Sequence, residues 1–295
     1  MQLEIEIVEK LLKNKGIIAQ DQAIQRFERL HGGSINDSFL VITSQDRFFI
    51  KMNRRKELPH FFECERKGLE LLRGASELKV PKVIAISDSS EQAVDILVLE
   101  YLEETSPAPT FWKNFGMGLA TLHQNSSSHF GLDYNNYIGS LKQSNTPHDN
   151  WIEFFVNERL NAQYNLARDQ GFLDEQFGRD LDRLYNKIDQ IIPNEPAALL
   201  HGDLWSGNFK VVGAAQAAIF DPAVYFGHRE VDLAMMHLFG GFQQSLFDAY
   251  HEVFPLEAGW EERIDLFNLY PLLVHVNLFA GSYTSRARQV LKKYI

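Results

Sequence analysis

Apolar positions at Leu3, Ile7, Val8, Leu11 and Leu12 recur at helical spacing and predict an amphipathic helix over 3–14, closed by Asn14-Lys15-Gly16. The texture then changes. Segments 25–30, 37–43 and 47–51 are short, and the last two are rich in β-formers. They are separated by His31-Gly32-Gly33-Ser34 and Ser44-Gln45-Asp46, which predicts a three-stranded antiparallel meander. Apolar groups at Phe61, Phe62, Leu69, Leu71 and Leu72 predict a helix over 59–73 that ends at Gly74, and 82–87 and 93–101 read as strands. A polar stretch with two prolines, 103–110, is the candidate hinge; a helix over 111–123 and a surface loop at Asn125-Ser126-Ser127-Ser128 follow. Segment 130–150 is irregular. Long helices are predicted over 151–170 and 173–192, separated by Gly171. The remainder, 229–239, 245–253 and 260–294, is helical, the last broken around Pro271 or Gly281.

Composition narrows this picture. The chain has 295 residues, 45% hydrophobic, enough for a substantial core in one large domain or two lobes. Net charge is −10 and no basic cluster is longer than Arg54-Arg55-Lys56, so nucleic acid is not an expected partner. No run approaches eighteen apolar residues, so no membrane span is expected. The start, Met-Gln-Leu-Glu-Ile-Glu-Ile, lacks the basic and apolar regions of a signal peptide. Cys64 is the only cysteine, which rules out an intrachain disulfide and a multi-cysteine metal site and fits a reduced, cytoplasmic setting. No internal repeat or low-complexity tract is present, and oligomeric state has no signature.

The chemistry concentrates in 199–222, LLHGDLWSGNFKVVGAAQAAIFDP. Asp203 and Asn208 stand four residues apart on a loop with Gly202 and Gly207, and Asp221 follows an Ala-Ala-Ile-Phe run. This order parallels the H-R-D-x-x-x-x-N catalytic loop and later D-F-G aspartate of phosphoryl transfer, here His201-Gly202-Asp203, Asn208 and Asp221-Pro222-Ala223. Such chemistry needs one carboxylate to position the attacking hydroxyl and oxygen ligands for Mg²⁺. His201 reads as a structural loop histidine, and Arg229-Glu230-x-Asp232 as a brace for the catalytic segment. Trp205 is either a core residue or a platform for a sugar ring.

Upstream residues extend the pattern. Gly32-Gly33-Ser34-Ile35-Asn36 is either a phosphate-approaching backbone or an ordinary hairpin turn. Lys51, after Phe48-Phe49-Ile50, either turns inward to the α- and β-phosphates of ATP or caps a solvated strand end. Glu65 shares a helix face with Leu69 and Leu72 and is the preferred ion-pair partner for Lys51, with Glu63 in reserve. Leu97-Val98-Leu99-Glu100-Tyr101-Leu102 is either an apolar strand leading into a link whose backbone at Glu100, Tyr101 and Leu102 meets adenine, or a plain core strand. Rival chemistries lose support, because G-x-S-x-G, H-E-x-x-H, G-x-G-x-x-G and G-x-x-x-x-G-K-[ST] are all missing.

These residues together resemble the fructosamine kinase (fructosamine/ketosamine 3-kinase) family, within the aminoglycoside-phosphotransferase and protein-kinase-like superfamily. The resemblance rests on His201-Gly202-Asp203-Leu204-Trp205-Ser206-Gly207-Asn208, Ile219-Phe220-Asp221-Pro222-Ala223 and Gly227-His228-Arg229-Glu230-x-Asp232. Phe49-Ile50-Lys51, Phe62-x-x-Glu65, Leu99-Glu100-Tyr101-Leu102, Asn136-Tyr137-Ile138-Gly139 and Trp151 with Phe154-Phe155 also fit. It implies an α+β, two-lobed protein-kinase-like fold: an ATP-binding lobe over 1–102 and a mostly helical lobe over 103–295 with the catalytic loop and substrate site. It also implies an ATP- and Mg²⁺-dependent phosphotransferase acting on an alcohol, the 3-hydroxyl of a small-molecule or protein-bound ketosamine, with release of the amine. Asp203 would orient the hydroxyl and accept its proton. Asn208 and Asp221 would hold Mg²⁺, and Lys51, held by Glu65, would bind ATP. Two other readings remain: a kinase for another small hydroxylated acceptor such as an aminoglycoside, and a pseudokinase binding module. Ser34 stands where some relatives carry a cysteine, and the first loop lacks a third glycine.

Overall fold

The computed structural model describes residues 2–30, 36–53, 58–87 and 94–295. The glycine-rich turn predicted to approach phosphate, with Gly32, Gly33 and Ser34, lies outside the described residues, as does Ala93 at the start of a predicted strand. Helix α1 (Gln2–Asn14) precedes a five-stranded antiparallel sheet made of β1 (Arg26–Leu30), β2 (Asp37–Ile42), β3 (Arg47–Asn53), β4 (Val83–Ile86) and β5 (Asp95–Glu100). The strand order is β1-β2-β3-β5-β4, and α2 (Phe61–Ala75) connects β3 to β4.

The period-2 alternation of the strands sorts side chains between two layers. Phe48, Ile50 and Met52 of β3 and Ile96 and Val98 of β5 pack with Val8, Leu11 and Leu12 of α1. Leu97 and Leu99 face the other way and pack with Phe62, Leu69 and Leu72 of α2. β5 is therefore covered on both faces and reads as an unbroken apolar run. Lys51 falls between Ile50 and Met52, so the pleat turns it to the α2 side, opposite Leu97 in the β3–β5 register.

The rest of the chain is mainly helical. α3 (Phe111–His123) leads into β6 (Ser126–Ser127), the hairpin β7 (Asn136–Ile138) and β8 (Leu141–Gln143), then α4 (Trp151–Phe154). The predicted helix over 151–170 is present but contains a π-helical stretch, Phe155–Asn161, before α5 (Ala162–Asp169). α6 (Glu175–Tyr185) starts at Asp174, whose carboxylate accepts from Phe177 N at 3.0 Å. β9 (Ala197–Leu200), the hairpin β10 (Phe209–Val212) and β11 (Gln216–Ile219), and β12 (Tyr225–Gly227) frame the site region. α7 (Glu230–Phe239), α8 (Gln244–Val253), α9 (Trp260–Phe267), α10 (Leu269–Phe279) and α11 (Ser282–Lys292) complete the chain.

One local reading changes, and two others gain detail. Ser126 and Ser127 pair with β9 and are a short strand, not a surface loop, because their backbone completes the sheet edge beside β9. The C-terminal helical run breaks at Asn268 and at Ala280-Gly281, while Pro271 sits in the first turn of α10, where its missing N–H has no helical partner to lose. The polar stretch 103–110 is irregular but docked: Thr105 N donates to Val211 O at 2.9 Å and Ala108 N to Ala214 O at 2.7 Å.

Helices α3 and α8 cross at Gly116, where an added Cβ would lie 2.1 Å from Leu246 O; Gly74, also helical, would meet nothing within 4 Å. Gly116→Ala should therefore destabilise the protein by about 2–3 kcal/mol or more, through overpacking. Gly74→Ala should stabilise it by about 0.5–1 kcal/mol, through helix propensity. Urea denaturation midpoints of the two variants check both signs.

Candidate active site

The loop between β9 and β10 is built around a buried carboxylate. Asp232, fully buried in the first turn of α7, accepts from His201 N at 2.7 Å, from Gly202 N at 2.9 Å and from His123 Nε2 at 3.2 Å. Tyr250 OH lies 2.8 Å from His123 Nδ1, so both ring nitrogens have a polar partner. Burial pushes the Asp232 pKa up, but His123 and the Gly202 N–H hold it below the ordinary carboxylate value. The brace expected of this segment thus reaches the catalytic loop through backbone N–H groups. Gly202 is required here twice over: its φ is +82°, and a Cβ would sit 2.1 Å from Ala223 O.

His201 joins the loop to the segment carrying Asp221. Burial holds it neutral with a lowered pKa; its Nε2 donates to Phe220 O at 3.0 Å and its Nδ1 accepts from Asp203 N at 3.3 Å. Ala223 N donates to His201 O at 2.9 Å and Phe220 N to Asn208 O at 3.1 Å. Asn208 and Asp221 are brought together by these backbone bonds, although thirteen positions separate them. Asp221 itself sits in left-handed backbone, φ 57°, a conformation that aspartate tolerates better than most residues.

The polar side chains then sort by charge. Lys51 Nζ lies 2.6 Å from Glu65 Oε1 and also bonds Asp221 Oδ1. Burial lowers the Lys51 pKa, but the charges of Asp221 and Glu65 more than offset it and keep the ammonium protonated. Glu63 instead pairs with Arg66 at 2.6 Å. Asn208 Nδ2 donates to Asp203 O at 2.8 Å and Asp203 Oδ2 at 3.1 Å, and the amide oxygen of Asn208 has no hydrogen-bond partner among the described residues. Burial and the nearby Asp221 charge raise the Asp203 pKa to about 7, against the Asn208 hydrogen bond.

Asp203, Asn208, Asp221, Lys51 and Glu65 all line one cavity of about 850 Å³. Leu99, Glu100, Tyr101 and Leu102 line it from the strand side. The Glu100 carboxylate is taken by Lys79 Nζ at 2.7 Å and Lys82 N at 3.1 Å, and its N–H donates to Lys82 O at 2.8 Å, so neither group is open to a ligand. Trp205, Met235, Pro271, Val274 and His275 line the cavity from the helical side, and Trp205 is 38% exposed.

A polar network beside the cavity centres on Asn136, which the sequence marked only as part of the family resemblance and to which it gave no role. Asn136 Nδ2 donates to Val224 O at 2.8 Å, while its oxygen accepts from Gln143 Nε2 at 2.8 Å and Asn145 Nδ2 at 2.9 Å. Gln143 also donates to Ala223 O at 3.1 Å and accepts from Tyr270 OH at 2.6 Å; Arg159 Nη2 donates to Asn145 at 2.7 Å. Next to Asn136, Tyr137 packs at a tilt against Phe61 with ring centroids 5.0 Å apart and donates to Pro59 O at 2.9 Å. β7 therefore touches both α2, which carries Glu65, and the strand that follows Asp221. These residues lie in the irregular stretch 130–150, where no periodicity distinguishes a buried amide from a surface one. Glu195, His228 and Glu230 also converge within 4.8 Å. Their carboxylates are filled, Glu195 by Arg229 at 2.7 Å and Glu230 by Arg263 at 2.6 and 2.8 Å, which leaves no open ligand set for a cation.

Comparison with known proteins adds four findings. A family model described as fructosamine kinase matches residues 7–295. A probable ketoamine kinase of Vibrio parahaemolyticus is 40% identical over 273 residues, covering 90% of this chain and 91% of that one. A crystal structure of a candidate fructosamine-3-kinase from Thermobifida fusca superposes with a TM-score of 0.85 at 32% identity, covering 97% and 98% of the two chains. An aminoglycoside phosphotransferase solved with AMP-PNP and hygromycin B gives a TM-score of 0.63 at 15% identity over 97% of each chain, which shows a shared protein-kinase-like fold and nothing finer.

The raised Asp203 pKa carries a stability cost. In the unfolded chain an aspartate ionises near pH 3.9. The folded carboxyl resists ionisation until about pH 7. Stability attached to this group is therefore complete below about pH 4 and lost as pH rises through 7. Asp203→Asn should stabilise the protein relative to the parent by more at pH 8 than at pH 5, the difference being on the order of 1–2 kcal/mol for a half-buried group and visible as a larger rise in melting temperature. Differential scanning calorimetry at the two pH values checks it.

Proposed function

The chain belongs to the fructosamine kinase family, and on that footing we propose that it is an ATP-dependent kinase that phosphorylates the 3-hydroxyl of ketosamines, the sugar adducts that glycation leaves on amines. The observation that carries this is the meeting of Asp203, Asn208, Asp221 and Lys51 in a cavity whose helical wall is apolar and aromatic around Trp205.

Each side chain has a part in that reading. Asp203 orients the 3-hydroxyl and accepts its proton as the hydroxyl oxygen attacks the γ-phosphorus and ADP departs. A carboxyl poised near neutrality suits that work. Lys51 binds the α- and β-phosphates, and Glu65 holds Lys51 in place when the nucleotide draws it from Asp221. The backbone of Glu100, Tyr101 and Leu102 receives adenine, and Gly32, Gly33 and Ser34 are assigned to the phosphates by their place in the sequence. Residues 1–102 form the ATP-binding lobe and 103–295 the catalytic and acceptor lobe. The donor set fits Mg²⁺, since the Asn208 amide oxygen has no hydrogen-bond partner among the described residues and the Asp221 side chain is 41% exposed with one oxygen on Lys51. When bound by Asn208 and Asp221, the ion would neutralise phosphate charge.

The acceptor wall argues against a polycationic aminoglycoside. Trp205, Met235, Pro271, Val274 and His275 bring no carboxylate, and burial lowers the His275 pKa so that it stays neutral. A ring faced by an indole matches a sugar instead. The substrate is thus a ketosamine on a small amine or a protein, met in the cytoplasm, a setting supported by the single cysteine. The 3-phosphate makes the adduct unstable, so the amine is released.

Purified protein with ATP and Mg²⁺ should form ADP with fructosamine or ribulosamine adducts and not with aminoglycosides or choline. No turnover with any ketosamine would falsify the assignment. Asp203→Asn should reduce kcat by roughly 10²–10⁴-fold, the range for general-base removal, while ATP affinity by calorimetry changes little. Normal turnover in that variant would remove Asp203 from the role of base.

A further inference from the structure

The aromatic wall does not stop at the cavity mouth. Ring centroids run from Trp205 to Phe239 at 6.0 Å, from Phe239 to His275 at 5.1 Å, and from His275 to Phe279 at 5.6 Å and Tyr283 at 4.9 Å. Trp205, His275 and Phe279 line the cavity, Phe239 bridges Trp205 and His275, and Tyr283 continues the row beyond the lining residues. Trp205, Phe239 and Phe279 are 38%, 37% and 56% exposed. Three of the seven exposed large apolar side chains among the described residues therefore meet in one continuous ridge, drawn from the catalytic loop, α7, α10 and α11. Scattered exposed apolar residues need no explanation, but a contiguous ridge leading out of a ligand cavity does. Folding alone gives no reason to leave Phe279 at the surface.

We propose that this ridge binds the amine half of the acceptor: it receives an extended hydrocarbon stem attached to the glycated nitrogen, while the sugar half lies between Trp205 and Asp203. The proposal rests on the ketosamine-kinase reading and deepens it. Its occupant is chosen by continuity, because the rings that form the ridge are the rings that close the sugar cavity. The nitrogen joining the two halves is a protonated secondary amine, and aromatic faces accept such a cation without a carboxylate. Nearby Arg286 adds positive charge by the ridge and opposes a second cationic centre further along the stem. The preferred acceptor thus has one ammonium at the sugar junction and methylenes or an aromatic ring beyond it.

The test uses the full-length protein with ATP, Mg²⁺ and the fructose adducts of methylamine, propylamine, hexylamine and benzylamine. KM should fall about two-fold per methylene, roughly half the logarithmic gain of full burial, with kcat nearly level, so that the hexyl adduct exceeds the methyl adduct in kcat/KM by about 30-fold. Phe279→Ala, at a largely exposed position that should tolerate truncation, should compress that ratio to less than about 5, and Tyr283→Ala should compress it partially. Turnover of every member with no dependence on chain length would overturn this proposal alone, as would an unchanged ratio in Phe279→Ala. If no member is phosphorylated, the kinase reading itself falls, and this proposal with it.

Discussion

Asp203 and Asp221 repel one another across a single cavity, and holding two carboxylates there is the constraint on which the surrounding structure depends. Left to themselves, like charges out of bulk water separate or protonate. Here each is pinned from outside. Asp221 is drawn to Lys51 and carried in left-handed backbone, and Asp203 accepts from Asn208. The main chain beneath them is zipped through His201, Phe220 and Ala223, and Asp232 ties that zipper to α7 through two backbone N–H groups. The repulsion is contained by geometry and not removed, and it adds to burial, the larger effect, in keeping Asp203 hard to ionise.

The same constraint explains why the sheet and the helices have to meet closely. Lys51 belongs to β3 and Glu65 to α2, yet their ion pair points at Asp221 on the far side of the cavity. Main-chain bonds cross the junction in parallel: Lys79 N to Ala217 O and Ile219 N to Lys79 O, each 2.9 Å, with the 103–110 stretch docked on the β10–β11 hairpin beside them. β7 adds a third tie, with Tyr137 on Phe61 and Asn136 on Val224. The carboxylate that holds Lys51 and the carboxylate that faces it are thus positioned by elements braced against each other.

Much of this was legible in the residue order. Helical spacing located α1 and α2, because each buries one regular face, and β-forming residues between turn signals located β2 and β3. The pleat also accounts for Lys51: a lysine flanked by Ile50 and Met52 must turn away from the layer those two enter. Other features had no such period to betray them. Asn136, Gln143 and Asn145 are ordinary loop polar residues in sequence, and they become structural only when Arg159 and Tyr270 arrive from distant helices to satisfy them. Pro271 read as a breaker because its own chemistry forbids a helix interior, but a first turn accepts it. Ser126 and Ser127 read as loop because β propensity is weak in serine, whereas an open edge beside β9 recruits their backbone regardless of side chain.

By itself the sequence determined the order of elements, the spacing of Asp203, Asn208 and Asp221, and the family those residues resemble. All three are local: they depend on hydrophobic period, turn chemistry and short motifs that act along the chain. Tertiary structure decided which carboxylate Lys51 meets, how Asp232 reaches the loop, and where the aromatic row leaves the cavity. Those depend on contacts between residues as far apart as Lys51 and Asp221, whose energies arise from burial and charge that exist only once the chain has closed on itself.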